Sequence, residues 1–212
     1  MGSREEIVAA AAKVMREQGY AHATTKAIAR AAGYSEALLY KHFKDKTEIF
    51  MSVLTERLPA LGTTLDELMR SAADNPLVEN LARLARITLA FYLESFPISV
   101  SLFSSRELLA THRERVTNRA GGPDVPLVRL SAYLGEEVRL GRIREDADLD
   151  AAASLLLGAC FQYAFLASFE DREPSAEELD RWAERLAGTL VAALVVSGND
   201  GSNRPEHSRG RR

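Results

Sequence analysis

Apolar residues recur at every third or fourth position along almost the whole of this chain, and no alternating run bounded by turn residues interrupts them. That period lays side chains along one stripe of an α-helix and does not fit the two-residue repeat of a strand, so the expected fold is all-α. With 212 residues, 46% of them hydrophobic, the chain can bury a sizeable core. Ser3 with Glu6 reads as a capping box opening a first helix, which Gly19 ends. Short helices follow over 25–32 and from Ser35 through Phe43, with Gly33 at the turn between them. Asp45 with Glu48 opens a fourth helix to about Arg57. Later helices are expected over about 63–73, 77–95, 98–119, 126–140, 149–171 and 175–197, broken at Asn75-Pro76, Pro97, Gly121-Gly122-Pro123, Gly141 and Pro174. The last of them opens on a third capping box, Ser175 with Glu178. Residues 198–212 offer little to bury and read as a disordered tail.

Composition removes several classes of function. The single cysteine, Cys160, leaves no disulfide and suits a reducing cytoplasm, the expected location. Four histidines far apart in sequence give no ligand spacing, so neither a metal nor a cofactor is expected. Adjacent acids such as Glu136–Glu137 or Glu177–Glu178 point about 100° apart on a helix and do not share a site. No nucleophile elbow or phosphate loop appears, and the chain reads as a non-enzyme. The opening residues, with Arg4, Glu5 and Glu6 ahead of a helical pattern, lead to the expectation of no secretory signal. Residues 151–169 carry no charge, nearly the length of a membrane span, but acids flank them on both sides. A helix buried on nearly all sides is expected there, with no membrane partner.

Charge is distributed unevenly beneath a net value of −3. Residues 20–46 hold five Lys/Arg against two acids, a local footprint compatible with phosphate contact. Two helices of about two turns, joined through a glycine, must pack on neighbours to be stable. Ile28, Ala29, Ala32, Leu39 and Phe43 supply the inward contacts. The outward set is polar and suited to phosphates: the Thr25 hydroxyl, the Tyr40 phenol, the His42 imidazole, and the ammonium groups of Lys26, Lys44 and Lys46. Lys41 suits guanine O6 or N7, and the Glu36 carboxylate suits cytosine N4.

The order of these residues, T-T, I-A-x-x-A-G, L-Y-x-H-F and then x-x-K, resembles the DNA-binding domain of the TetR family over about residues 4–54. The resemblance implies a three-helix domain with a helix-turn-helix (residues 1–47), followed by a larger helical ligand-binding and dimerisation domain (48–197). It implies phosphate contacts from Thr25, Tyr40, His42 and Lys46, with the Ser35–Phe43 helix in the major groove and Lys26, Glu36, Ala37 and Lys41 at base edges. Leu38 departs from the small hydroxyl residue often found at its position, and is suited instead to a thymine methyl.

A reading helix this short needs two copies on a palindromic operator, so a homodimer on double-stranded DNA is expected. Its interface is expected on the last two long helices, at Leu155, Leu156, Ala159 and Tyr163 of one and at Leu179, Trp182, Leu186, Leu190 and Leu194 of the other. The resemblance further implies an apolar cavity for a small molecule among the middle helices. Phe91, Tyr92, Phe96, Phe103, His112, Tyr133, Phe161, Gln162 and Phe165 are its candidates, and Gln162 stands out because an amide in an uncharged helix needs a partner. The expected function is a ligand-responsive transcriptional regulator, a repressor released from its operator. A protein-binding adaptor on the same fold is the alternative.

Overall fold

The computed structural model describes residues 2–57, 61, 65–67, 70, 75–117 and 122–195. Its elements are α1 (Ser3–His22), α2 (Thr25–Ala31), α3 (Glu36–His42), α4 (Lys46–Ser52), α5 (Leu77–Phe103), α6 (Arg106–Thr117), α7 (Val125–Arg139), α8 (Leu149–Phe169) and α9 (Ala176–Leu194). A π-turn, Val53–Arg57, extends α4. The all-α expectation holds, with no strand among the described residues. Most of the helix expected over 63–73, and the whole expected tail over 198–212, lie outside them.

Local chemistry sets the boundaries. Thr24 caps α2 by accepting from the Ala27 N–H at 3.1 Å, Ser35 caps α3 through Leu38 N–H at 3.2 Å, and Asp45 caps α4 through Glu48 N–H at 2.8 Å. The Ser175–Glu178 box is formed in both directions. The first box is not the expected one. Gly2 is the N-cap, its N–H donates to Glu5 at 3.3 Å, and the Ser3 hydroxyl is drawn away to His42. Gly19 kinks α1 at a positive φ of 72° instead of ending it, and the helix closes at His22.

Pro97 does not break the chain either. α5 runs unbroken through it, and the turn into α6, a bend of 115°, falls at Ser104–Ser105. An internal proline costs a helix about 3 kcal/mol, and burial on both sides of it outweighs that cost. Towards its start α5 buries Leu81, Leu84, Ala85 and Leu89 in a core shared with α7, α8 and α9, while beyond Pro97 it buries Ile98 and Leu102 in a second core with α1–α4. Pro97 therefore sits where one helix passes from one core to the next.

Helix α8, uncharged from residue 151 to 169, is not buried on nearly all sides. Ala153, Leu156, Leu157, Cys160 and Ala164 face inward, while Leu155, Phe161, Phe165, Leu166 and Phe169 are exposed. By length and composition it is the one single helix among the described residues apolar enough to cross a membrane. It also packs along α5, α7 and α9, which carry charges on their outer faces.

Candidate nucleic-acid interface

Ile28, Ala29, Leu39 and Phe43 hold α2 and α3 against α1 and α4, and their burial turns the intervening side chains outward. Lys26, Ala37, Lys41 and Lys44 are exposed, Tyr40 is 52% exposed, and Thr25, Glu36, Leu38 and His42 are half-buried. The expected phosphate and base residues thus share one surface formed by α2, α3 and the turn after it. Tyr34 in the α2–α3 turn donates to Glu6, anchoring that turn to α1.

Three of these side chains form a chain of hydrogen bonds. Thr25 Oγ1 donates to Glu36 Oε1 at 2.5 Å, and the Tyr40 hydroxyl lies 3.3 Å from the same Thr25 oxygen. His42 Nε2 pairs with the Ser3 hydroxyl at 2.8 Å, which fixes the ring plane. The Lys44 backbone N–H is taken by Glu48 at 2.6 Å, leaving its ammonium to solvent.

Lys46 differs from expectation. Its ammonium donates to the Tyr20 carbonyl at 2.8 Å and the Ala21 carbonyl at 3.3 Å, and lies 4.2 Å from the centre of the Tyr20 ring. Those carbonyls are among the unpaired acceptors at the end of α1, so two of three donors are spent on a cap and one remains for an anion. Burial lowers the pKa of this ammonium. Ser3, which holds His42, was read only as a helix cap, and Tyr20, which holds Lys46, and Arg4, which grips Glu56 at 2.7 Å and covers the Phe43 ring, were not singled out by the sequence. Their partners lie 26 to 52 residues away, beyond any local spacing rule.

The expected dimer residues divide into two sets. Leu156, Leu179, Leu190 and Leu194 are at most 7% exposed within a single chain, because they face α5 and the α7–α9 core; they are core residues first. Leu155 is 67% exposed, and Ala159, Tyr163, Trp182 and Leu186 are half-buried. Leu155, Ala159, Trp182 and Leu186 rim an open apolar groove of about 300 Å³ between α8 and α9. Gly158 and Gly188 are exposed on the same two helices, and nothing lies within 4 Å of where a Cβ would stand.

The cavity candidates are also redistributed. Phe91, Tyr92, Phe96, Phe161 and Phe165 form one ladder of edge-to-face rings, 5.3–5.8 Å apart, along the seam between α5 and α8. Gln162 is exposed on the outer face of α8, outside that seam. Phe103 is 77% exposed at the end of α5, so it lines no enclosed space. Tyr133 is fully buried, with its hydroxyl accepting from Asn80 at 3.0 Å beside the buried Glu137–Arg142 ion pair, and packing takes up its surface. Burial lowers the pKa of His112, whose Nδ1 has no hydrogen-bond partner among the described residues.

Comparison with known proteins follows the same division. Residues 7–53 match the model of the family described as bacterial regulatory proteins, tetR family. The chain is 33% identical over 72 residues to the HTH-type transcriptional activator FasR of Mycolicibacterium smegmatis, a match covering 34% of this chain and 33% of that protein's length. It is 26% identical over 156 residues to the fatty acid metabolism regulator protein of Bacillus subtilis, covering 72% and 77% of the two chains. The fold is similar to that of the transcriptional regulator FadR from Bacillus subtilis, solved in complex with stearoyl-CoA, with a TM-score of 0.67 at 20% identity over 90% of this chain and 98% of that one.

Proposed function

The chain belongs to the TetR family, and on that premise we propose that it is a homodimeric repressor that grips a palindromic operator in the cytoplasm and lets go when a small, largely apolar molecule binds. The observation that carries the reading is the cationic surface of α2 and α3, where Lys26, Lys41 and Lys44 stand exposed around the hydroxyls of Thr25 and Tyr40. Cations and hydroxyls on one face supply the phosphate contacts that fix register, and α3 then carries Glu36, Ala37, Leu38 and Lys41 to base edges. Two separate cores support a DNA-binding head and a second domain joined through α5, with the head's core reaching past the expected boundary at 47 to take in Ile49, Phe50, Met51 and Val53.

For the second domain, the groove between α8 and α9 supports a four-helix interface with a second copy, which sets two heads on one face of DNA roughly 34–36 Å apart. The aromatic ladder between α5 and α8 supports an apolar ligand, since rings are the surface such a molecule displaces most readily. The similar fold solved with stearoyl-CoA is consistent with an acyl chain as that ligand. Because α5 reaches from this seam into the head, a ligand that spreads α5 from α8 changes the spacing of the heads, and about 1.4 kcal/mol of differential affinity shifts occupancy tenfold.

The decisive experiment is selection of bound duplexes from a random pool by the purified protein, followed by mobility shifts over a salt series. The expected product is an inverted repeat whose complex weakens steeply as salt rises. Recovery of no preferred sequence defeats the regulator reading in favour of the adaptor.

A further inference from the structure

Between Thr24 and Lys44 the chain holds four Lys/Arg and a single acid, Glu36. A carboxylate on a surface that meets a polyanion opposes binding to every sequence alike, because like charges brought together repel. Among the described residues no cation pairs with the Glu36 carboxylate. It takes the Thr25 hydroxyl at 2.5 Å, although Lys26 follows directly in sequence.

A hydroxyl has one proton to give. Thr25 gives its proton to Glu36, so at the 3.3 Å contact Thr25 Oγ1 is the acceptor and Tyr40 the donor. Both protons therefore run toward the carboxylate, and neither is offered to a phosphate. To hold DNA the two hydroxyls must rotate outward, which strips Glu36 of its partner. A base edge carrying an amino group, such as cytosine N4, restores one in the major groove, whereas the guanine O6 and N7 or thymine O4 edge offers only acceptors.

On the reading that this surface binds DNA, we propose that Glu36 is a specificity gate. It withholds the Thr25 and Tyr40 protons from duplexes with no amino group at its position, and releases them where one is present. Its main effect is to suppress non-cognate binding, and its contribution to cognate affinity is secondary.

The test compares the wild type with Glu36→Ala and Glu36→Gln. The probes are the duplex recovered by the wild type from a random pool, a scrambled duplex of equal length, and versions with each cytosine or adenine of a half-site replaced in turn. Glu36→Ala is expected to tighten the scrambled complex about tenfold, the size of effect that removing one close like charge gives, while the recovered duplex gains nothing. The ratio of the two affinities then falls about tenfold or more. Glu36→Gln, which keeps an acceptor for Thr25 but no charge, falls between. In the wild type one such replacement, of a cytosine or an adenine, weakens binding, and in Glu36→Ala that same replacement has no effect. Equal weakening of both duplexes in both variants assigns Glu36 a purely structural role and overturns the gate, as does unchanged affinity for the scrambled duplex. Failure of the wild type to recover any sequence removes the functional reading itself, and the gate with it.

Discussion

A lysine that points at carbonyl oxygens does different work from one that points at water. Lys46 ties the end of α1 to the start of α4 through Tyr20 and Ala21, so its first contribution is to the rigidity of the head. Replacing it by alanine leaves those carbonyls without their donor and removes the ammonium from the Tyr20 ring. Lys46→Ala is therefore expected to lower the stability of the protein by about 1–2 kcal/mol, the range for hydrogen bonds to a charged group, as read by urea denaturation. Affinity falls with it on all duplexes equally. An unchanged denaturation midpoint together with weakened binding would place the ammonium on phosphate directly. The residues of the surface were readable because their types and order are local: Thr25, Tyr40 and Lys41 lie within 17 positions of one another. Ser3 beneath His42 was not, because 39 residues separate the pair and the Ser3 side chain fits a helix cap equally well on paper.

Elements follow periodicity until burial and propensity disagree. Pro97 carries every local signal of a helix break, yet the chain continues because Leu89 on one side and Ile98 on the other are each locked in a core. Sequence patterns weigh the proline and cannot weigh a burial that depends on distant helices. The residue nonetheless leaves a mark, since without an N–H it cannot donate to the Leu93 carbonyl, and this missing bond falls between the two cores. Pro97→Ala restores the donor and is expected to raise stability by about 1–3 kcal/mol, seen as a higher Tm. It should also slow amide exchange over residues 93–98. A lower Tm would mean that proline geometry is itself required for the two cores to sit on one helix. In α8 the pattern erred in the other direction: an uncharged run predicts burial all round, but a single chain can cover only the side carrying Leu156, Cys160 and Ala164. Gln162 followed that error, because an amide inside a buried helix would need a protein or ligand partner and an amide on an open face does not.

At the scale of the whole molecule, the uncovered side of α8 is the feature that one chain cannot account for. Leu155, Phe165, Leu166 and Phe169 add exposed apolar side chains beside the α8–α9 groove, and apolar surface gathered in this way marks an interaction face. A second copy laid on the same two helices would cover both patches at once by symmetry. Leu155 is the residue with which to test this, because it is 67% exposed in the single chain and a charge there disturbs no internal packing. Leu155→Glu puts a carboxylate on that apolar face in each copy and is expected to leave helix content, read by circular dichroism, unchanged. Sedimentation is expected to show a monomer at concentrations where the wild type is a dimer. Binding to an inverted repeat should then fall to the level of a single half-site, since the second head no longer arrives already positioned. A variant that remains dimeric with full operator affinity would move the interface elsewhere, and with it the mechanism by which α5 sets the distance between the heads.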